Sequence, residues 1–131
     1  MTFVTVLVPL PVFYNPDTIG NRRPMEEEKL TATAEEVARK FGGAVLWRFS
    51  EGSGPRGYWW NREILDIDVL AMLEVDVPDT RESRSWFEAY AETVLMDRHE
   101  QEAIYLKFYG GGAAMETMTV SKKPPGKKID G

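Results

Sequence analysis

The sequence contains no cysteine, which excludes disulfides, thiolate catalysis, iron–sulfur clusters and cysteine-bound zinc. That zero is compatible with a reducing compartment, and the expected location is cytoplasmic. A single histidine, His99, excludes a centre built from several imidazoles, so neither a metal site nor a cofactor is expected. No apolar run approaches the ~20 residues that a membrane-spanning helix needs. Residues 1–14 are apolar, but they lack a basic flank and a small-residue cleavage site and are interrupted by Pro9 and Pro11, so no signal peptide is expected there.

What is present is 43% hydrophobic and 28% charged residues in a chain of 131, the balance of one globular domain. A chain of this length buries roughly two-thirds of its unfolded surface without help from a crosslink. The net charge of −5 conceals a segregation: residues 121–131 hold Lys122, Lys123, Lys127 and Lys128 against Asp130 alone. The preceding body carries twelve basic and twenty acidic residues, a net of −8. Such a body repels nucleic acid and anionic membrane, and neither is expected as a partner. The lysine-rich end is expected to be a solvated terminus.

Residues 3–8 are short, apolar and β-branched, the pattern of a buried strand. Pro9 and Pro11 lie two apart, so their missing amides face one neighbour, and pairing on that side should stop around Val8. After a polar loop, Pro24 suits the first helical position, Glu26, Glu27 and Glu28 complement the dipole, and Leu30, Ala34, Val37, Ala38 and Phe41 repeat at helical spacing until Gly42 and Gly43. Residues 44–49 alternate as a strand, with Val45, Trp47 and Phe49 on one side. A glycine-rich loop leads to the extended Tyr58-Trp59-Trp60, a turn at Asn61-Arg62, and the clearest alternation of all at residues 64–77, where Leu65, Ile67, Val69, Ala71, Leu73, Val75 and Val77 share one face. Asp79 and Glu82 open a second helix whose stripe is Phe87, Tyr90, Ala91, Val94, Leu95 and Arg98. Residues 104–109 alternate again, and Gly110-Gly111-Gly112 ends that strand.

The order β-α-β-β-α-β over residues 3–112 resembles the ferredoxin-like sandwich, an α+β fold with two helices on one face of a four-stranded antiparallel sheet. Val75-Asp76-Val77-Pro78-Asp79 and Asp97-Arg98-His99-Glu100-Gln101 are similar to segments of small uncharacterised bacterial domains of this class. The resemblance implies a domain at 1–112, a glycine-, lysine- and proline-rich tail at 113–131, and no particular chemistry.

Helices on one face leave the other to be solvated, paired or used as a binding floor. Leu70, Met72, Tyr105 and Tyr109, with either Trp47 or Leu46, form an apolar and aromatic patch there, flanked by Asp66, Asp68, Glu74 and Lys107. Such a patch points to contact, first with a second copy of the chain and next with a small apolar ligand, and third comes a partly covered sheet with no further role, since exposed apolar residues are normal. Tyr58, Trp59 and Trp60 add aromatic anchors, and alternation sends one of the two tryptophans to the core and leaves the other exposed or covered by a partner.

Weaker signals read as structure. Asp66 and Asp68 point the same way, as Mg²⁺ ligands do, but solvated carboxylates explain them as well. Arg22 and Arg23 precede a helix start that could hold an anion, yet three glutamates already occupy it. Acylphosphatase-type enzymes of this fold carry a glycine-rich, arginine-bearing loop directly after the first strand, which this chain lacks. The strand at 104–109 has only Lys107 in place of the basic and aromatic consensus of RNA-binding relatives of the fold. His99 falls in the last turn of the second helix, where an imidazolium meets the negative dipole end. The expected function is therefore an oligomeric binding module. The alternative is a cofactor-independent enzyme or ligand sensor of the dimeric α+β barrel type, with Trp47, Tyr58, Tyr105 and His99 in its pocket.

Overall fold

A computed structural model describes residues 2–50, 52–110 and 115–122. The chain runs β1 (Phe3–Pro11), α1 (Glu27–Phe41), β2 (Val45–Trp47), β3 (Arg56–Asn61), β4 (Ile64–Pro78), α2 (Arg81–Tyr90), a wide π turn (Ala91–Leu95), α3 (Met96–Arg98), β5 (Ala103–Gly110) and β6 (Met115–Ser121). The last three helical pieces follow one another without a break, so two helical rods pack against the sheet. All pairings are antiparallel, in the order β2-β4-β1-β5-β6, with β3 joined to β4.

The sheet thus has six strands rather than the expected four. One of the additional strands comes from splitting: the segment expected as one strand at 44–49 pairs only over Val45–Trp47, and Tyr58-Trp59-Trp60 belongs to a separate β3. The other comes from residues assigned to the tail. Glu116, Met118 and Val120 alternate with Thr117 and Thr119, and β6 uses that pattern to pair along β5 from Ala103↔Ser121 to Tyr109↔Met115. Arg84 locks the strand to α2 through ion pairs with Glu116 and with Asp79, the latter at 2.9 Å. Lys122 donates its amide to the Glu102 carbonyl at 2.8 Å. Lys123, Lys127, Lys128 and Asp130 lie outside the described residues.

Val4, Val6, Val8 and Leu10 of β1 and Ala71, Leu73, Val75 and Val77 of β4 point to the helices and are buried. Leu30 and Val37 of α1, Phe87, Leu95 and Met96 of the second rod, and Ile104, Leu106 and Phe108 of β5 complete this core. Each such side chain contributes about 1.5–3 kcal/mol of transfer free energy. Between the rods Phe41 stacks on Phe87 at 5.4 Å and meets Trp86 edge to face at 5.1 Å, while within α2 Trp86 stacks on Tyr90 at 4.6 Å.

Both helices begin later than expected. Phe13 bridges Pro24, and Met25 donates its amide to the Val12 carbonyl at 2.9 Å, so this stretch is extended and α1 opens at Glu27. At α2 the cap is Thr80, whose hydroxyl accepts from the Ser83 amide at 3.1 Å, while Asp79 is committed to Arg84. The π turn matters for phase. A wide turn takes up the drift of a 3.6-residue repeat, so Phe87, Ala91, Leu95 and His99 all stay buried at four-residue steps.

Candidate functional site

The two prolines of β1 shape the open face. Val12 donates its amide to the Val69 carbonyl at 3.0 Å, so even-numbered amides of this strand face β4 and odd-numbered ones face β5. Pairing with β4 accordingly continues through Pro11↔Leu70, whereas pairing with β5 ends at Leu7↔Lys107. Continuation would have set Pro9 against Tyr105 and Pro11 against Ala103, and neither proline has an amide to give. The strands part there, and a cavity of about 620 Å³ opens with Pro9, Pro11, Ala103 and Tyr105 in its lining.

The far wall comes from the β3–β4 hairpin, closed by a turn in which Arg62 adopts φ 62°. In a flat sheet β3 and β5 would stand roughly 14 Å apart, three strand spacings. The rings of Trp59 and Tyr105 nonetheless meet at 6.3 Å, edge to face, so the hairpin's side chain reaches over the open side of the sheet to that of β5. Trp59 is held in this pose from two directions. Its indole N–H donates to Asp68 Oδ2 at 2.8 Å, and the ring lies so close over Gly57 that a Cβ there would sit 2.9 Å from it. The other oxygen of Asp68 accepts from Arg22 at 2.7 Å, which ties the loop carrying Asn15 and Pro16 to the cavity rim. Asp68 is therefore a buried bridging group rather than a solvated carboxylate, and Asp66, opposite Trp59 in the register, also faces the cavity.

Of the residues singled out in the sequence, Trp59, Leu70 and Tyr105 converge on this cavity. Trp47 and Met72 are register partners farther along the same open face, where the Trp47 indole donates to Glu74 at 2.8 Å. Of the two alternatives for that patch, Trp47 is the member on the open side, and Leu46 packs toward the core. Tyr109 lies opposite Thr5, still farther from the cavity. Tyr58 and Trp60 occupy the other side of the hairpin with Leu65 and Ile67, at 61%, 69%, 52% and 44% exposure. Neither Trp59 nor Trp60 enters the core, contrary to the expectation for one of them, because the hairpin extends past the helices that would cover it.

Arg22 and Arg23 both have internal partners: Arg22 has Asp68, and Arg23 approaches Glu26 at 3.6 Å and stands over the Tyr14 ring at 4.0 Å. His99 is fully buried beneath α1, its ring nitrogens facing Thr33 Oγ1 at 3.1 Å and Met25 Sδ at 2.9 Å. Burial, with Arg98 and Lys29 nearby, lowers its pKa to about 4, so the ring is neutral near pH 7 and is no imidazolium cap. Beside it Arg98 binds Glu36 at 2.8 Å, and Tyr90 donates to Glu36 at 2.6 Å, bolting the two rods together. Arg98 holds the Glu36 carboxyl below its ordinary range, and burial, seconded by Glu36, raises the Tyr90 phenol.

Sequence reasoning passed over Pro16, Gln101, Glu102 and Thr119 as cavity residues. The proline spacing signalled a lost ladder, but only the contact of Trp59 with Tyr105 turns that loss into a walled, half-open cavity. Among the described residues no three histidine or carboxylate side chains converge as a metal site requires, and no helix is long and apolar enough to cross a membrane. Comparison with protein-family models, curated proteins and solved structures returns no match, and the functional reading rests on the geometry of this chain.

Proposed function

We propose that the protein is a binding module that takes a small, largely apolar organic molecule in the cavity between the hairpin and β5 and works as a homo-oligomer. The observation that carries this reading is the pair Trp59 and Tyr105, in edge-to-face contact in the wall of a cavity of about 620 Å³ within one chain. A volume in the range of small-molecule sites, with aromatic and proline walls and a few placed polar groups, suits a ligand better than a flat protein contact.

Self-association has its own support. The outer side of the hairpin exposes Tyr58, Trp60, Leu65 and Ile67, and among the described residues β3 pairs on one side only. Exposed edges of this kind are covered or charged in soluble proteins, and β3 contributes only Arg56 toward that. A second copy meeting the first through β3 supplies the missing partner. We further read the fold as a ferredoxin-like sandwich whose second strand is broken into β2 and β3 and whose last edge is extended by β6. The acidic body favours neither nucleic acid nor membrane as a partner, and a cytoplasmic location belongs to the same proposal. The enzyme alternative loses its candidate base, since His99 packs in the core and does not line the cavity.

Native mass spectra of gently purified protein, with denaturing spectra of the same sample, test both halves. An even multiple of the chain mass carrying a non-covalent adduct that disappears on denaturation is the expected result. A bare monomer at micromolar concentration contradicts the oligomer, and no adduct after incubation with benzyl alcohol contradicts the cavity.

A further inference from the structure

We infer that the cavity selects organic cations, molecules with an apolar or aromatic body and an ammonium-type charge seated beside Asp66 against the paired rings of Trp59 and Tyr105. This rests on the reading of the cavity as a ligand site and adds the sign of the ligand's charge. Among the described residues the lining carries three carboxylates, Asp66, Asp68 and Glu102, and no lysine, arginine or histidine. Asp68 is already neutralised, one oxygen by Arg22 and the other occupied by the Trp59 indole. Asp66 is different. It shares the face of Asp68 by strand alternation, stands opposite Trp59 in the register and is half-buried. No hydrogen bond or ion pair holds it among the described residues. A half-buried carboxylate without a counter-charge repels anions and gains nothing from a neutral guest, whereas a cation satisfies it.

The aromatic walls supply a second, independent attraction. The faces of Trp and Tyr carry negative electrostatic potential and bind ammonium groups, most strongly where water is displaced. Tyr105 already does so within the chain, because the Lys107 ammonium lies 5.7 Å from its ring centroid. Lys107 is not among the described residues that line the cavity, so the cavity side of the touching Trp59 and Tyr105 pair is left to a guest. A carboxylate beside a wall of two touching aromatic rings makes a recognition pattern for a substituted ammonium ion.

Isothermal titration of the full chain with three probes that share a benzyl body tests this: benzyltrimethylammonium, benzyl alcohol and phenylmethanesulfonate. The cation is expected to bind about tenfold more tightly than the alcohol, and the sulfonate most weakly. Asp66→Asn is expected to abolish the preference for the cation over the alcohol. As a check that needs no variant, affinity for the cation should fall as sodium chloride rises from about 10 to about 500 mM while that for the alcohol holds. Equal affinities for cation and alcohol, or a preference that survives Asp66→Asn and high salt, overturn the assignment of charge and leave the cavity reading standing. Absence of binding by all three probes overturns both.

Discussion

The two halves of β4 carry the same alternation and meet opposite fates. From Ala71 to Val77 every second residue is buried beneath the helices, and from Leu65 to Ile67 the same side of the strand is bare. On the other side the relation reverses: the bare half of the strand supplies Asp66, Asp68 and Leu70 to the cavity, while Glu74 and Asp76 of the covered half lie beyond it on the open face. Period-two patterning therefore tells which residues share a side but not what lies over that side, which is decided by where helices and neighbouring strands end.

The largest expected effects fall on the covered half. Leu73→Ala should destabilise the fold by about 2–5 kcal/mol, as removal of buried methyl groups does, and Leu65→Ala by less than about 1 kcal/mol. Urea unfolding midpoints of the two variants measure the contrast, and equal losses would show that the hairpin is as well packed as the core.

His99 gives a pH-dependent form of the same test. Its folded pKa of about 4 lies below the ordinary 6.5, so the unfolded chain binds the proton more readily. The contribution to stability is complete above pH 6.5 and is lost progressively as the pH falls toward 4, by about 3 kcal/mol in all. Comparing the decline in stability between pH 7 and pH 4.5 in the wild type and in His99→Gln isolates this term from that of the carboxylates. A variant whose decline is as steep as the wild type's would place the imidazole in water.

Much of this molecule is legible in the sequence because its signals are local. The strand at residues 3–8, the helical stripe from Leu30 to Phe41 and the long alternation at 64–77 each follow from side-chain spacing alone, and the loss of pairing beside Pro9 follows from proline's missing amide. The rest depends on distant partners. Met118 and Val120 alternate with threonines as a strand should, yet composition joins them to the lysine-rich end, and only pairing with β5 separates them. Trp59 and Tyr105 are forty-six positions apart, and nothing in either segment states that their rings meet. His99 illustrates the opposite case, since a helix-end position suggests an exposed charge until the π turn and α1 enclose it.

Smaller effects sharpen the comparison within the hairpin. Asp68→Asn removes the ion pair to Arg22 and should cost about 1–2 kcal/mol, since Arg22 is left half-buried beside a neutral amide. It should also loosen the loop at Asn15 and Pro16, detectable as faster amide exchange at Ile19 and Asn21. Trp60→Thr, on the other side, should change stability by no more than about 0.5 kcal/mol yet shift the sedimentation coefficient toward the monomer. A variant that remains fully oligomeric moves the interface elsewhere, to the exposed face around Trp47 and Met72.

The most direct test uses the two adjacent tryptophans as opposed reporters. Their indole N–H resonances, assigned with Trp59→Phe and Trp60→Phe, are followed by nitrogen–proton correlation spectra during titration with benzyltrimethylammonium. The account predicts a saturable shift of the Trp59 signal, which lies in the cavity wall, with the Trp60 signal unmoved. A shift confined to Trp60, or no shift at Trp59 at saturating probe, would contradict it.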